Sequence, residues 1–416
     1  MTESSRPSEI RALQGARALP PLILVLFHYC EGHGYRGVWW FDLLVARGYL
    51  WVEFFFALSG FVLTYVYAAR FLEIFGFRGY GRFLQSRLAR LYPLHLAMLL
   101  LILGMVITLR WLAARDGYVS IYDEPWHPIV NLPTFIANLF LVQAWNLFPY
   151  LSWNGASWFV SVEFLLCLLF PLYLALSRGG WKIALLLISG GALGLALLAQ
   201  PRYGLDLTFH NGIWRGMAAF AIGVGFAMLH RAALAHGAEQ LPEFAFTLAQ
   251  LVVLSGFFYA IYNTGWSHTR ADIYTALAVI ALVFVLSFDR GLLAKAFATA
   301  VPLILGEWSY AIYIGQTPLL QLLRHAQLHL YPAPDDIVFG RTWAAWAPVW
   351  HWLEPALLVA AAIAWGALLF MLIERPANTL LRRLGREHPG AVHDVSLTDS
   401  GRSAITPPNA IPLEGD

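Results

Sequence analysis

Arg17 and His28 stand eleven residues apart in the run Arg17-Ala-Leu-Pro-Pro-Leu-Ile-Leu-Val-Leu-Phe-His28, in which every residue between them is apolar. An ionisable group at membrane depth is costly, and it is by default a functional-site hypothesis. In a continuous helix, at about 100° and 1.5 Å per residue, the two side chains share a face roughly 16 Å apart. That separation excludes a hydrogen-bonded pair and suits the two ends of an elongated ligand. A guanidinium fork holds phosphate at one end, and an imidazole moves a proton at the other. Pro20-Pro21 suits a first helical turn, so a helix that starts there leaves Arg17 outside it. For His28 alone, a core histidine bonded to a neighbouring helix is the plain alternative.

Further polar residues interrupt later apolar runs. Glu53, in Trp51-Val-Glu53-Phe-Phe-Phe-Ala-Leu-Ser59-Gly60-Phe61, reads either as an interfacial carboxylate or as a site residue, and Ser59-Gly60 reads as close helix packing. Arg87 and Arg90 share a helix face at i, i+3, where two forks clamp phosphates; orientation of the chain or anionic lipid accounts for them equally well. Ser157, Ser161 and Glu163 fall within two turns of one helix. Glu163 leads into an uninterrupted apolar stretch, so it must face protein or a cavity, with Arg215 as its expected counter-charge. Structural pairing of those two competes with a functional role. Cys30 and Cys167, both in apolar surroundings, read as buried thiols, and no metal-ligand set is predicted.

The elements that must carry these groups are membrane helices. Of 416 residues, 59% are hydrophobic and 12% charged, with a mean hydropathy of +0.61. A soluble domain carries about twice that charge. Apolar runs predict an all-α polytopic membrane protein with spans at 18–34, 47–70, 91–111, 156–177, 182–200, 211–230, 244–262, 272–288, 301–323 and 354–373. An even count of ten places both termini on one side, and most of the 27 Lys and Arg fall on that side, which the positive-inside rule makes cytoplasmic. The long outer loops, 112–155 and 324–353, carry Trp126, Trp145, Trp153, Trp343, Trp346 and Trp350, expected as an interfacial belt or a carbohydrate-stacking rim. Residues 133–147 read as an interfacial or re-entrant helix. A membrane domain over 1–385 is followed by a polar segment, 386–416, expected as a disordered cytoplasmic tail. The net charge of +2, with no basic stripe, gives no support for nucleic acid. No cleavable-signal pattern precedes the first span.

Six segments together resemble the acyltransferase-3 family of integral-membrane O-acyltransferases: Arg17 to His28, Val52-Glu53-Phe-Phe-Phe-Ala-Leu-Ser-Gly-Phe61, Arg87-Leu-Ala-Arg90-Leu-Tyr-Pro93, Ser157-Trp-Phe-Val-Ser-Val-Glu163, Gly306-Glu-Trp-Ser-Tyr310-Ala-Ile-Tyr313 and Glu374-Arg-Pro376. The resemblance covers most of residues 8–383. It implies a protein of the bacterial cytoplasmic (inner) membrane that uses an acyl-CoA donor, usually acetyl-CoA, as a substrate and binds no permanent cofactor. The acceptor it implies is a hydroxyl of a surface glycan, a lipid-linked sugar or a small molecule. Many relatives have a histidine where this chain has Gln316. Some continue into a hydrolase-like domain that this chain is expected to lack, so a homo-oligomer or a separate partner protein is left open.

Combined with the residues, the resemblance implies that Arg17, Arg87 and Arg90 hold the phosphates of the donor while its pantetheine arm runs toward His28. His28 deprotonates the acceptor or carries the acyl group transiently. Glu53 or Glu163 orients the imidazole, and Ser161 or Tyr310 steadies developing oxyanion charge. The rival reading is a transporter or flippase, which predicts paired broken helices in two repeated halves. No such duplication is evident in the sequence.

Overall fold

The computed structural model describes residues 9–33, 38–70, 74–117, 129–265, 268–330 and 348–384. The tail over 386–416 lies outside them, as do Trp126, Trp343 and Trp346. Among the described residues the architecture is helical, and its β structure amounts to one isolated bridge between Gln200 and Gly204. The helices are α1 (Arg11–Ala16), α2 (Leu19–His33), α3 (Trp39–Ala46), α4 (Val52–Tyr67), α5 (Phe77–Asp116), α6 (Leu132–Leu139), α7 (Trp158–Leu176) and α8 (Trp181–Leu198). They continue with α9 (Gly212–Ala235), α10 (Glu243–Thr264), α11 (Asp272–Leu286), α12 (Leu292–Phe297), α13 (Ala300–Leu330), α14 (Pro348–Leu369) and α15 (Arg375–Leu384). A π-helical turn, Phe370–Glu374, joins the last two.

Seven described segments are long and apolar enough to cross a membrane: Gly48–Tyr67, Phe77–Asp116, Gly155–Leu176, Trp181–Leu198, Gly212–Ala235, Glu243–Thr264 and Leu353–Leu381. The other three predicted spans also fall on helices. Of these, α2 and α11 have 15 residues each, and α13 carries Glu307, Ser309, Gln316, Gln321 and Arg324 along its length. The predicted span 91–111 is the second half of a single 40-residue helix, α5, whose first half presents Arg87 and Arg90.

Close backbone approaches hold the bundle together. A Cβ on Gly60 of α4 would run into the Phe220 carbonyl of α9, and one on Gly223 of α9 would run into the Ala57 carbonyl. Gly60 is therefore a packing residue, as its small size suggests. Gly306 seats α13 against the Gln14 carbonyl in the same way, which fixes α1 on the bundle. Pro318 lacks an N–H, so the Ile314 carbonyl one turn earlier loses its helical partner. The Asn154 side chain donates to that carbonyl at 2.9 Å and ties α13 to the turn that starts α7.

The segment around α6 is shorter and more knotted than the helix predicted over 133–147. Asn131 caps α6 and forms a capping box with Thr134. Beyond Leu139 the chain turns repeatedly, with left-handed residues at Leu141, Asn146 and Trp153. Trp153 is buried and donates to Thr134 Oγ1 at 3.0 Å, and half-buried Trp145 donates to the Ser161 carbonyl at 3.3 Å. Neither forms an exposed rim. Exposed indoles lie elsewhere, at Trp39 and Trp40 of α3, Trp111 of α5, Trp181 of α8 and Trp214 of α9.

Arg47, the first residue of the predicted span 47–70, is buried. Its Nη1 donates to Asp272 Oδ1 at 2.7 Å, and Nη2 reaches the carbonyls of Thr264 and Gly265 at 3.0 and 2.7 Å. Asp272 also accepts from the Tyr49 hydroxyl and, at 3.0 Å, from the Leu205 N–H. One ion pair thus fastens three inter-helix connections. Cys30 and Cys167 are buried free thiols, as expected.

Candidate functional site

Helix α1 ends at Ala16, Arg17 forms its C-cap, and α2 begins at Leu19 with Pro20 and Pro21 in its first turn. The proline pair therefore sets a helix boundary, and Arg17 sits at the break instead of on the helix that carries His28. From that break Arg17 faces a cavity of about 140 Å³. Arg87 and Arg90 of α5 line the same cavity, with Ser59 of α4, Glu163 of α7, and Ser309, Tyr310 and Tyr313 of α13. Three arginines distant in sequence converge on one space, and like charges brought together raise the potential there for an anion.

The polar groups of this wall are incompletely matched by the protein. Gln14 Oε1 accepts from Arg17 Nη1 at 3.5 Å, while Gln14 Nε2 is buried with no protein partner. Glu163 is buried; one carboxylate oxygen accepts from the Ser59 hydroxyl, and Oε2 has no protein partner. Buried polar atoms are nearly always bonded, to protein, ordered water or a ligand, so these two residues give the wall both an amide donor and a carboxylate acceptor. Glu374 closes the π-helical turn, is buried with Oε2 unmatched, and lies within electrostatic reach of Arg90 and Arg17. Single π-turns inside α-helices are frequent at functional sites. Glu9, just before α1, also lines the cavity. Burial raises its carboxyl above the ordinary carboxylate range, Glu307 and Asp289 add to the rise, and Arg11 opposes it.

Of the remaining predicted residues, Glu53 is buried with Arg215, not beside His28. Arg215 Nε and Nη2 donate to the two Glu53 oxygens at 2.5 and 2.8 Å. Nη2 also donates to the Tyr49 carbonyl at 2.6 Å, and Nη1 to the Leu207 carbonyl at 3.1 Å. The guanidinium lies 5.4 Å from the Trp158 ring centroid. The counter-charge expected for Glu163 is therefore committed to Glu53. Ser161 donates to the Leu141 carbonyl at 2.7 Å and accepts from the Ala144 N–H at 3.2 Å, which fastens the loop after α6. Ser157 likewise donates to the Asn154 carbonyl at 2.7 Å. Tyr310 lines the cavity with its hydroxyl donated to the Leu91 carbonyl at 2.6 Å.

His28, Glu53 and Ser161 are not among the cavity's lining residues. The imidazole of His28 is exposed between buried Phe27 and Tyr29, and its Nδ1 is 3.2 Å from Gln316 Oε1. Gln316 Nε2 donates to the Tyr313 carbonyl at 2.9 Å. Tyr310, Tyr313 and Gln316 recur every third residue, so one face of α13 runs from the arginine-lined cavity to the imidazole. The sequence reading did not find the Gln316 contact. Its signal was an amide buried in an apolar helix, which must find partners there.

The family model described as an acyltransferase domain matches residues 10–375. The acyltransferase MdmB of Streptomyces mycarofaciens is 26% identical over 394 residues, covering 86% of this chain and 87% of that protein. Protein 2 in the picA locus of Rhizobium radiobacter is 37% identical over 105 residues, a quarter of this chain and half of that protein. No solved structure matches the chain significantly.

Proposed function

The chain belongs to the acyltransferase-domain family, and from that premise we propose that it moves an acyl group, acetyl before others, from acyl-CoA to a hydroxyl acceptor. The acceptor class is a surface or exported glycan, a lipid-linked sugar or a hydroxylated small molecule, and the setting is a bacterial inner membrane. Ten spans with both termini cytoplasmic belong to this proposal, because they open the Arg17 end of the bundle to cytoplasmic donor.

The observation that carries the reading is the convergence of Arg17, Arg87 and Arg90 on one cavity whose wall also holds unmatched buried atoms of Gln14 and Glu163. Acyl-CoA suits that wall chemically. Its phosphates match guanidinium forks, and its amide-bearing arm supplies both a donor and an acceptor. Tyr313, Phe55 and Phe159 line the same cavity and give the arm an apolar path.

His28 then acts as general base. Its unprotonated nitrogen takes the acceptor's hydroxyl proton as that oxygen forms a bond to the thioester carbonyl carbon. The carbon–sulfur bond breaks, and the proton passes from the imidazolium to the departing CoA thiolate. Ester and free CoA are the products, with atoms and charge balanced. Membership of an acyltransferase family leaves the transporter alternative without an observation of its own.

The experiment supplies radiolabelled acetyl-CoA to the purified protein and profiles surface glycans and lipids by mass spectrometry with and without it. Label transfer and a specific ester lost on inactivation are expected. His28→Ala is expected to abolish transfer with an unchanged thermal melt, and turnover at the wild-type rate in that variant overturns the assignment.

A further inference from the structure

We infer that Gln316 is a positioning residue that holds His28 in the Nδ1–H tautomer and so leaves Nε2 as the basic nitrogen. The inference rests on the acyl-transfer reading of His28. It begins with the amide of Gln316, whose oxygen only accepts and whose nitrogen only donates. The orientation of that amide is fixed from its far side. Nε2 is 2.9 Å from the Tyr313 carbonyl, an obligate acceptor, so Nε2 must be the end facing Tyr313. Oε1 is then the end facing the imidazole, 3.2 Å from Nδ1. An acceptor opposite Nδ1 requires a hydrogen on Nδ1, and a neutral imidazole has only one, so Nε2 carries the lone pair.

A further observation supports a fixed ring. Gln316 is itself 1% exposed and locked at both ends, so it orients the ring without freedom of its own. The ring of His28 remains exposed, and Nε2 is the nitrogen available to an acceptor hydroxyl. In the other tautomer Nε2 would carry hydrogen and could not take the proton.

The test uses the full-length protein in nanodiscs with ¹⁵N-labelled histidine, and His28→Ala identifies the His28 signals by difference. Wild-type His28 is expected as the Nδ1–H tautomer. Gln316→Met removes both polar ends at similar length. It is expected to mix the tautomers and to lower kcat about tenfold or more, a part of the roughly 10²–10⁴-fold that a general base contributes, with an unchanged KM for acetyl-CoA. Gln316→His keeps one donor and one acceptor and is expected to restore both the tautomer and most of kcat. An Nε2–H tautomer in the wild type, or an unchanged tautomer and kcat in Gln316→Met, overturns the inference. Should Gln316→Met fail to fold, the wild-type tautomer and the Gln316→His variant still decide it. The role of His28 is judged separately by His28→Ala, so the two failures are distinguishable.

Discussion

Arg215 commits each face of its guanidinium to the protein: both Glu53 oxygens, the carbonyls of Tyr49 and Leu207, and the ring of Trp158. Arg17, half-buried at the other region, has a 3.5 Å contact to Gln14, with the like charges of Arg90 and Arg87 and the opposite charges of Glu374 and Glu307 nearby. A buried cation with four of its five N–H donors bonded to protein stabilises one arrangement of helices. Arg17, Arg87 and Arg90 instead line a cavity, and under the proposed function that wall is where an anionic, amide-bearing donor binds. Under the proposed function, buried charge in the bundle divides into architecture around Glu53 and a donor site around Arg17.

The largest expected effect tests the architectural side. Arg215→Met leaves Glu53 buried without its partner and is expected to cost about 3–5 kcal/mol of stability, read from thermal and denaturant melts. Adding Glu53→Leu removes the stranded charge and is expected to recover much of that loss. Full stability of Arg215→Met with loss of transfer would break the comparison by moving the pair into the donor site. Ser161→Ala comes next. It strands the Ala144 N–H and the Leu141 carbonyl, so a loss of about 1–3 kcal/mol is expected, with kcat retained in the folded fraction. A selective fall in kcat would return Ser161 to the chemistry.

On the other side, the double variant Arg87→Gln, Arg90→Gln is expected to weaken acetyl-CoA binding tenfold or more, about 1.4 kcal/mol, in the folded fraction. Unchanged binding by calorimetry would sink the clamp. The smallest effect concerns Glu9 at the cavity wall. Its raised carboxyl is neutral at low pH and gains a negative charge as pH rises above the ordinary carboxylate range, where it opposes an anionic donor. Donor affinity is expected to fall modestly through that titration, and Glu9→Gln is expected to flatten the dependence. A profile identical in both proteins would show that Glu9 does not face the ligand.

What the sequence disclosed follows the range of each interaction. Apolar runs predicted helices because the period of a helix is local, and Pro20-Pro21 marked the start of α2 because the geometry of proline is local. Arg17, Arg87 and Arg90 were legible as expensive charges with a common chemistry. Pairings across the chain were not: Arg47 with Asp272, Arg215 with Glu53, and His28 with Gln316 join residues 225, 162 and 288 positions apart. Each partner alone reads as an interfacial or core polar residue. Glu163 illustrates the resulting error, since Arg215 seemed its natural counter-charge until the fold gave that arginine to Glu53. Ser59-Gly60 shows a finer division, with Gly60 packed on α9 and Ser59 turned to Glu163 in the cavity.

Helices α2 and α11 have a consequence for how the bundle holds its site. Leu24, Val25, Phe27, Tyr29 and Cys30 of α2 and Ala276, Val279, Ile280, Leu282, Val283 and Leu286 of α11 are buried in one common core. A helix enclosed in this way is set against its helical neighbours and not against lipid. The helix that bears His28 therefore takes its height and tilt from the packed interior, and a change in bilayer thickness reaches the imidazole only through the helices around it.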